Sequence, residues 1–196
     1  MPRTKRLIYD GVVLHVIDRG HNKQKLFKHK DDYYKFLNIV KSYMNRYDFH
    51  IFHYCLMGNH FHFLMRIMKE KEPSLIMQGI LQSYGGHYKR TYHTSGYLYQ
   101  GRYKSFLIEK DEYLLGCARY IERNPIRAGI VTDLNNYPWS SYKYYANGKS
   151  DDIVTPDPTY ETFGRTRQER MRNYVKYVNE PHPYEVLLEK AIEKLM

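Results

Sequence analysis

The apolar positions of this chain change period several times, and each change marks an element. Residues 11–18 (GVVLHVID) are rich in β-branched side chains and read as a strand. Residues 20–23 (GHNK) read as a turn. From residue 31 to 47 the period lengthens: Tyr33, Phe36, Leu37, Val40 and Met44 recur on one helical face, with Asp31 suited to the N-cap. Phe49–Met57 and His60–Ile67 are further strands, separated by the tight-turn dipeptide Gly58-Asn59. Pro73-Ser74 opens a long helix through Leu75, Ile76, Ile80, Leu81, Tyr84 and Tyr88, weakened locally by Gly85-Gly86. Residues 103–109 (YKSFLIE) form a fourth strand, and Asp111 starts another helix, expected to end at Asn124-Pro125.

The order β-α-β-β-α-β, followed by a further helix, predicts an α+β fold of the ferredoxin-like, split βαβ kind. Its sheet is expected to be antiparallel, with helices on one face. That domain takes residues 1–133. Residues 134–196 are expected to form an extension that wraps it and carries two short helices. Residues 135–159 are rich in Asn, Pro, Ser and Tyr and read as mostly irregular. Met171, Tyr174, Val175 and Val178 then form one amphipathic stripe, and Leu187, Leu188, Ala191, Ile192 and Leu195 another.

Composition narrows the class. Lys and Arg number 31 against 21 Asp and Glu, a formal charge of +10, and Tyr alone supplies 22 of the 196 residues. A basic chain with many rings that are apolar on the face and polar at the tip suits a wet, polyanionic interface, nucleic acid first. Two cysteines, Cys55 and Cys117, are too few for a disulfide framework or a Cys-based zinc finger. No apolar run approaches the ~18 residues of a membrane span, and MPRTKR lacks the apolar region of a secretory signal. A cytoplasmic protein is expected.

Two short segments carry candidate chemistry. In Gly58-Asn59-His60-Phe61-His62-Phe63-Leu64, residues two apart share a strand face, so His60 and His62 project together while Phe61 and Phe63 enter the opposite side. Two imidazoles make half of a metal site. A zinc-hydrolase site would continue with Asp and a nearby His, whereas Phe63, Leu64, Met65 and Arg66 follow. In the second segment, 117–125 (CARYIERNP), Tyr120 and Asn124 are one helical turn apart and share a face, which Tyr113 and Cys117 continue. Taken alone, Tyr120 also fits an ordinary amphipathic-face tyrosine, and Asn124 a C-terminal residue ahead of a helix-stopping proline. Together the segments suggest phosphodiester chemistry. A phenol is a poor nucleophile at neutral pH, but attack becomes feasible when a divalent cation polarises the phosphate. A tyrosine one turn from a neutral amide ligand would be carried close to that phosphorus.

The segment Met57-Gly58-Asn59-His60-Phe61-His62 resembles the HUH motif (His, bulky hydrophobe, His) of the single-tyrosine HUH transposases. The run 118–129 (ARYIERNPIRAG) is similar to the tyrosine helix of that family and the turn after it. HVIDRG at 15–20, YQGRYKS at 99–105 and PWSSY at 138–142 match in order, and Phe163-Gly164 with the basic helix after it resembles the REP-associated tyrosine transposase (RAYT) branch. Gly58 stands where many relatives have Pro. The resemblance implies His60, His62 and Asn124 as ligands of Mg²⁺ or Mn²⁺ and Tyr120 as nucleophile. It implies cleavage of single-stranded DNA at the foot of hairpins, with a 5′-phosphotyrosine link, a free 3′-OH and no nucleotide cofactor. It also favours a monomer over a helix-swapped dimer, acting on nucleoid DNA. A domesticated, non-catalytic hairpin-binding protein and an HUH replication-initiator or relaxase-like nickase are the alternatives.

The DNA-binding surface is partly legible without the family. Lys89, Arg90, Arg102, Lys104 and Lys110 lie among six tyrosines between residues 84 and 110, with Glu109 the one acid. Cations follow phosphates and rings stack on unpaired bases. Arg102 and Lys104 are the leading candidates, with Lys89, Arg90 and Arg19 beside them. Tyr84, Tyr88 and Tyr92, spaced i, i+4, fit a core equally well. The basic helix with Arg165, Arg167, Arg170, Arg172 and Lys176 fits either a second DNA contact or a solvated face. His15, His50, His53, His87 and His93 are expected to be structural.

Overall fold

A computed structural model of the chain describes residues 9–68 and 73–180; the amphipathic segment after residue 183 lies outside the described residues. Among the described residues, β1 (Val13–Arg19), β2 (Phe49–Met57), β3 (His60–Ile67) and β4 (Lys104–Ile108) form one sheet in the order β2-β3-β1-β4, every pair antiparallel. With α1 (Lys30–Arg46) and α2 (Pro73–Tyr92) as crossovers, this is the expected split βαβ arrangement. α3 (Asp111–Arg127), α4 (Tyr142–Asn147) and α5 (Arg167–Asn179) follow. No helix among the described residues is long and apolar enough to cross a membrane.

The helices do not all lie on one face. Phe36 of α1 packs on Phe61 and Phe63, with ring centres 5.1 and 6.0 Å apart, so α1 and α2 cover the phenylalanine side of β3. Tyr120 of α3 lies 5.7 Å from the ring of His62, on the opposite side. The reason is the strand's two-residue period: both faces of β3 are apolar or aromatic enough to require a cover.

Three local expectations are revised. Asp32, rather than Asp31, holds the start of α1: its carboxylate accepts from the backbone N–H of Lys28 and His29 at 2.8 and 2.9 Å, and from the Tyr92 hydroxyl at 2.6 Å. α2 runs unbroken through Gly85-Gly86. Its closest helix contact is at Gly79, where any Cβ would lie 2.2 Å from the Tyr43 ring of α1. The irregular stretch after residue 135 contains α4, and it serves a structural purpose. Leu56 N–H donates to Trp139 O at 2.9 Å, Ser141 N–H to Tyr54 O at 3.1 Å and Thr155 N–H to Ile51 O at 2.8 Å. These bonds cap the outer edge of β2, which would otherwise be an open pairing template.

The extension has its own small core of Leu134, Tyr142, Tyr145, Ala146, Tyr174 and Val178. Between that core and the sheet lies a buried polar network. His53 on β2 holds Glu122 of α3 through Nδ1 at 2.9 Å and Asp157 of the extension through Nε2 at 3.2 Å, and the Tyr145 ring stacks on it at 4.3 Å. Ser141 and Tyr174 hydroxyls, each at 2.7 Å, complete the Glu122 carboxylate. Burial alone would push the His53 pKa down; the hydrogen bonds that its ring donates to Asp157 and Glu122 reverse this and raise it to about 9.

A histidine raised above its unfolded value of about 6.5 contributes stability that is complete below that pH and is lost as pH rises through the folded value, here about 9. Thermal unfolding between pH 6 and 10 is therefore expected to show Tm declining across that window. His53→Gln should lower stability at pH 6 by about 3 kcal/mol, as when one partner of a buried ion pair is removed, and flatten the decline. A decline of unchanged slope in the variant would assign it to another group.

Candidate active site

The site begins with the alternation of β3. His60 and His62 lie on one face with ring centres 5.1 Å apart, and the Phe61 and Phe63 rings are buried on the other. His62 is fully buried. Its Nδ1 lies 3.1 Å from Nε2 of His15 on the neighbouring β1, with the rings stacked at 5.3 Å, and its Nε2 has no hydrogen-bond partner among the described residues. His60 is half-buried at the mouth, and its Nδ1 meets Asn59 Oδ1 at 2.7 Å. Gly58 and Asn59 turn the hairpin without a positive φ, and the Gly58 carbonyl accepts from the N–H of Leu26 and Phe27.

All three imidazoles are held neutral. Burial lowers the His15 pKa to about 3; burial and the charge of Arg19 lower His60 to about 4. His62 is driven well down by burial, then by His60, His15 and Arg127. A neutral imidazole is the form that ligates metals. The bond to His15 engages Nδ1 of His62 and leaves Nε2 as its available nitrogen, the arrangement by which a neighbour fixes a ligand's tautomer.

α3 supplies the other two candidates. The Tyr120 ring stands edge-on to His62 at 5.7 Å and to His15 at 6.0 Å, with the Arg127 guanidinium 4.6 Å over its face. It is 3% exposed. Asn124 follows one turn later, buried. Contrary to expectation, α3 does not stop at Pro125 but continues to Arg127. Pro125 has no N–H for the Ile121 carbonyl; the Asn124 side-chain amide donates to that carbonyl at 3.2 Å, and to Tyr120 O at 2.9 Å. With the amide nitrogen so engaged, Oδ1 is the atom Asn124 has for a cation. Tyr113 departs from the expected stripe: it is exposed, beneath Lys110. The two thiols are no rivals to the phenol, because burial pushes both Cys55 and Cys117 up into the protonated form.

A groove of about 220 Å³ opens beside this face, lined by Ile17, Asp18, Arg19, Gln100, Gly101, Arg102 and Lys104. Arg19 pairs across the sheet with His60, and Ile17 with both His62 and Lys104, so the groove borders the histidine pair. The structure thus brings together three of the five predicted cationic residues. Arg19 Nε donates to Gln100 Oε1 across the groove. Lys89 and Arg90 do not join them; they are exposed at the end of α2, which covers the other face. Tyr84 and Tyr88 are core residues whose hydroxyls donate to the carbonyls of Leu26 and Lys25.

Among the described residues no group of three or more His, Cys, Asp and Glu is arranged to hold a metal. A cation here would depend on His60, His62 and a non-acidic third donor. The residues fit that requirement: two neutral imidazoles, one with a buried and unpartnered nitrogen, and a buried amide.

Residues 9–124 match the family described as "Transposase IS200 like". The chain belongs to the IS200-like transposase family. No curated protein matches it. Among solved structures, this family member shares its fold with a REP-associated tyrosine transposase bound to a REP hairpin, at TM-score 0.62 and 17% identity over 80% of this chain and 93% of that one. A protein of Deinococcus radiodurans described as a transposase (11% identity, 62% and 97% covered) and the tRNA(His) guanylyltransferase of Saccharomyces cerevisiae (13%, 91% and 85%) each reach 0.44.

The candidate site also includes residues with no assigned role in the sequence motifs. His15 is the clearest; the signal available was its position on β1, two residues from Ile17, on the strand face that β3's histidines share. Arg127 lay beyond a proline taken as a stop. Ring-carbon NMR shifts recorded from pH 8 to 5 are expected to show His15, His60 and His62 remaining neutral throughout. A midpoint near 6.5 at His60 would contradict the electrostatics described.

Proposed function

We propose that this transposase cleaves and rejoins single-stranded DNA at hairpin elements, with Tyr120 as nucleophile and a divalent cation, Mg²⁺ or Mn²⁺, at His60, His62 and Asn124. The observation that carries the reading is the edge-on packing of one phenol against the neutral imidazoles of His62 and His15 at the border of a cationic groove. The fold shared with a REP-associated tyrosine transposase, whose structure holds a REP hairpin, supports hairpin DNA as the substrate class and membership of the RAYT branch.

The bound cation would polarise a non-bridging phosphate oxygen. His15 keeps His62 oriented. Arg19, Arg102 and Lys104 hold the strand by its phosphates along the groove, while Lys89 and Arg90 meet the hairpin from the α2 side. The phenol gives up its proton and its oxygen bonds to phosphorus; the bond to the 3′ oxygen breaks, and that oxygen takes a proton to become a free 3′-OH. The 5′-phosphotyrosine keeps the energy of the broken linkage for rejoining, so no nucleotide is consumed. Because Tyr120 lies against the histidines of its own chain, the protein works in cis as a monomer, with residues 1–133 as catalytic domain and 134–196 as extension. Chromosomal hairpins would place it on the nucleoid. One observation favours a second reading, a non-catalytic hairpin-binding protein: the phenol is only 3% exposed.

Labelled hairpin DNA with a single-stranded flank, incubated with the protein and Mn²⁺, is expected to give a covalent adduct on a denaturing gel. The adduct should vanish in Tyr120→Phe with hairpin binding retained, and in His60→Ala, His62→Ala and chelator-treated samples. An undiminished adduct in Tyr120→Phe removes that residue from its role; binding without any adduct from the wild type selects the second reading. Mixing Tyr120→Phe with His62→Ala protein should restore nothing, because α3 acts in cis; a restored adduct would mean exchange of α3 between chains. Arg19→Ala and Lys104→Ala should each weaken hairpin binding and lower the slope of log K against log salt by about 1.

A further inference from the structure

α3 meets the histidine face through the Tyr120 ring, but ring packing leaves a helix able to roll about its axis or slide along it. What prevents this lies on its other side. At 100° per residue, the side chain of Glu122 points about 200° around the helix from Tyr120. There it is fully buried and receives three hydrogen bonds from three separate elements: His53 Nδ1 of β2 at 2.9 Å, the Ser141 hydroxyl before α4 at 2.7 Å, and the Tyr174 hydroxyl of α5 at 2.7 Å. Two arginines flank it. Arg119 Nε donates to Tyr177 O at 3.0 Å, another Arg119 nitrogen donates to Glu180 O, and Arg123 donates to Val178 O at 3.0 Å. The last carbonyls of α5 thus rest on the guanidinium groups of α3, a favourable cap for that helix end.

Such a network is not the simplest way to stabilise a core. A buried ion pair is often replaceable by apolar residues of similar volume without loss. Its directional bonds provide one seating of a helix instead of several. Tyr120 and Asn124 sit two residues either side of Glu122, so a roll of α3 large enough to break the bonds to Ser141 and Tyr174 would displace both.

We infer that Glu122, held by His53, Ser141 and Tyr174, is a positioning residue that sets the rotation of α3 and thereby the reach of Tyr120 to the phosphate. The inference rests on the proposed nucleophilic role of Tyr120 and adds to it that the extension is part of the catalytic geometry. The His53 imidazole lies between the two carboxylates and makes a control available. Asp157 binds the same ring from the extension, its other oxygen receiving the Thr159 N–H and hydroxyl at 2.8 Å each, and belongs to no part of α3. Glu122→Gln and Asp157→Asn each remove one carboxylate from one imidazole, and only the first alters α3.

The test measures adduct formation at saturating hairpin, hairpin affinity, Tm and amide hydrogen exchange over residues 117–124. Glu122→Gln is expected to slow adduct formation by about ten- to a hundredfold, the scale of an ångström-sized misplacement. Its affinity should stay within about twofold of wild type and its residues 117–124 should exchange faster. Asp157→Asn should lower Tm comparably yet keep the rate within about threefold and those amides protected. Tyr174→Phe, which takes one hydroxyl from Glu122 without altering buried charge, should fold and show a smaller loss of rate, about three- to tenfold. Equal losses of rate in Glu122→Gln and Asp157→Asn, or a wild-type rate in both Glu122→Gln and Tyr174→Phe, would overturn the inference. A wild type without any adduct defeats the proposed nucleophile instead; the exchange comparison then still decides whether Glu122 seats α3, equal exchange in the two carboxylate variants refuting it.

Discussion

β3 is an interior strand with neighbours on both edges, so each of its side chains has one of two environments and no third. Phe61 and Phe63 go to the side where Phe36 and Tyr84 wait; His60 and His62 go to the side of α3. Nearly everything else follows from that division. A slip of one residue would send both histidines into the aromatic core and both phenylalanines toward the groove, losing site and core at once. The register with β1 is equally consequential. It sets Ile17 opposite His62 and Arg19 opposite His60, so a cation stands beside the half-buried imidazole and the fully buried one is left to bond His15.

Four buried or half-buried histidines on or beside this sheet face are driven to opposite states by their surroundings. His15, His60 and His62 lie among one another and near Arg19 and Arg127, so burial and like charge together hold them neutral. His53, on the same face of the neighbouring strand, has a carboxylate on each nitrogen, which outweighs burial and keeps it charged. The separation matters for a surface that meets DNA. Glu122 and Asp157 are buried on either side of the His53 ring and bonded to it, which keeps both carboxyl groups away from an incoming phosphate. The groove presents Arg19, Arg102 and Lys104. A single residue type is thus held neutral, the form a metal ligand needs, on one side of the face and charged as a counter-ion on the other.

The parts legible in the sequence were those written in short-range pattern. The β3 alternation, the Gly58-Asn59 hairpin and the one-turn spacing of Tyr120 and Asn124 depend on residues two to four apart, and the strand order followed from the element order. The parts that were not legible span long separations. His15 reaches His62 across 47 residues, Glu122 reaches His53 across 69 and Asp157 reaches it across 104, and nothing local distinguishes these from ordinary core positions. The continuation of α3 past Pro125 was hidden for another reason: the carbonyl a proline leaves unpaired was satisfied by the side chain just before it. One amide nitrogen therefore mends the helix and turns the same residue's oxygen into a candidate ligand.

The extension changes what the sheet requires of its other parts. An edge strand without a partner needs bulges, charges or a cover; β2 has Trp139, Ser141 and Thr155 along its outer side and is buried over nearly all its length. The same segment that closes this edge then turns back over α3, through Ser141, Tyr174 and the α5 carbonyls on Arg119 and Arg123. Releasing α3 from its own sheet would strip a buried carboxylate of three donors and uncover β2 together, a loss that no single exposed contact could offset. A helix fixed on its outer face in this way is most constrained where it carries Tyr120 and Asn124.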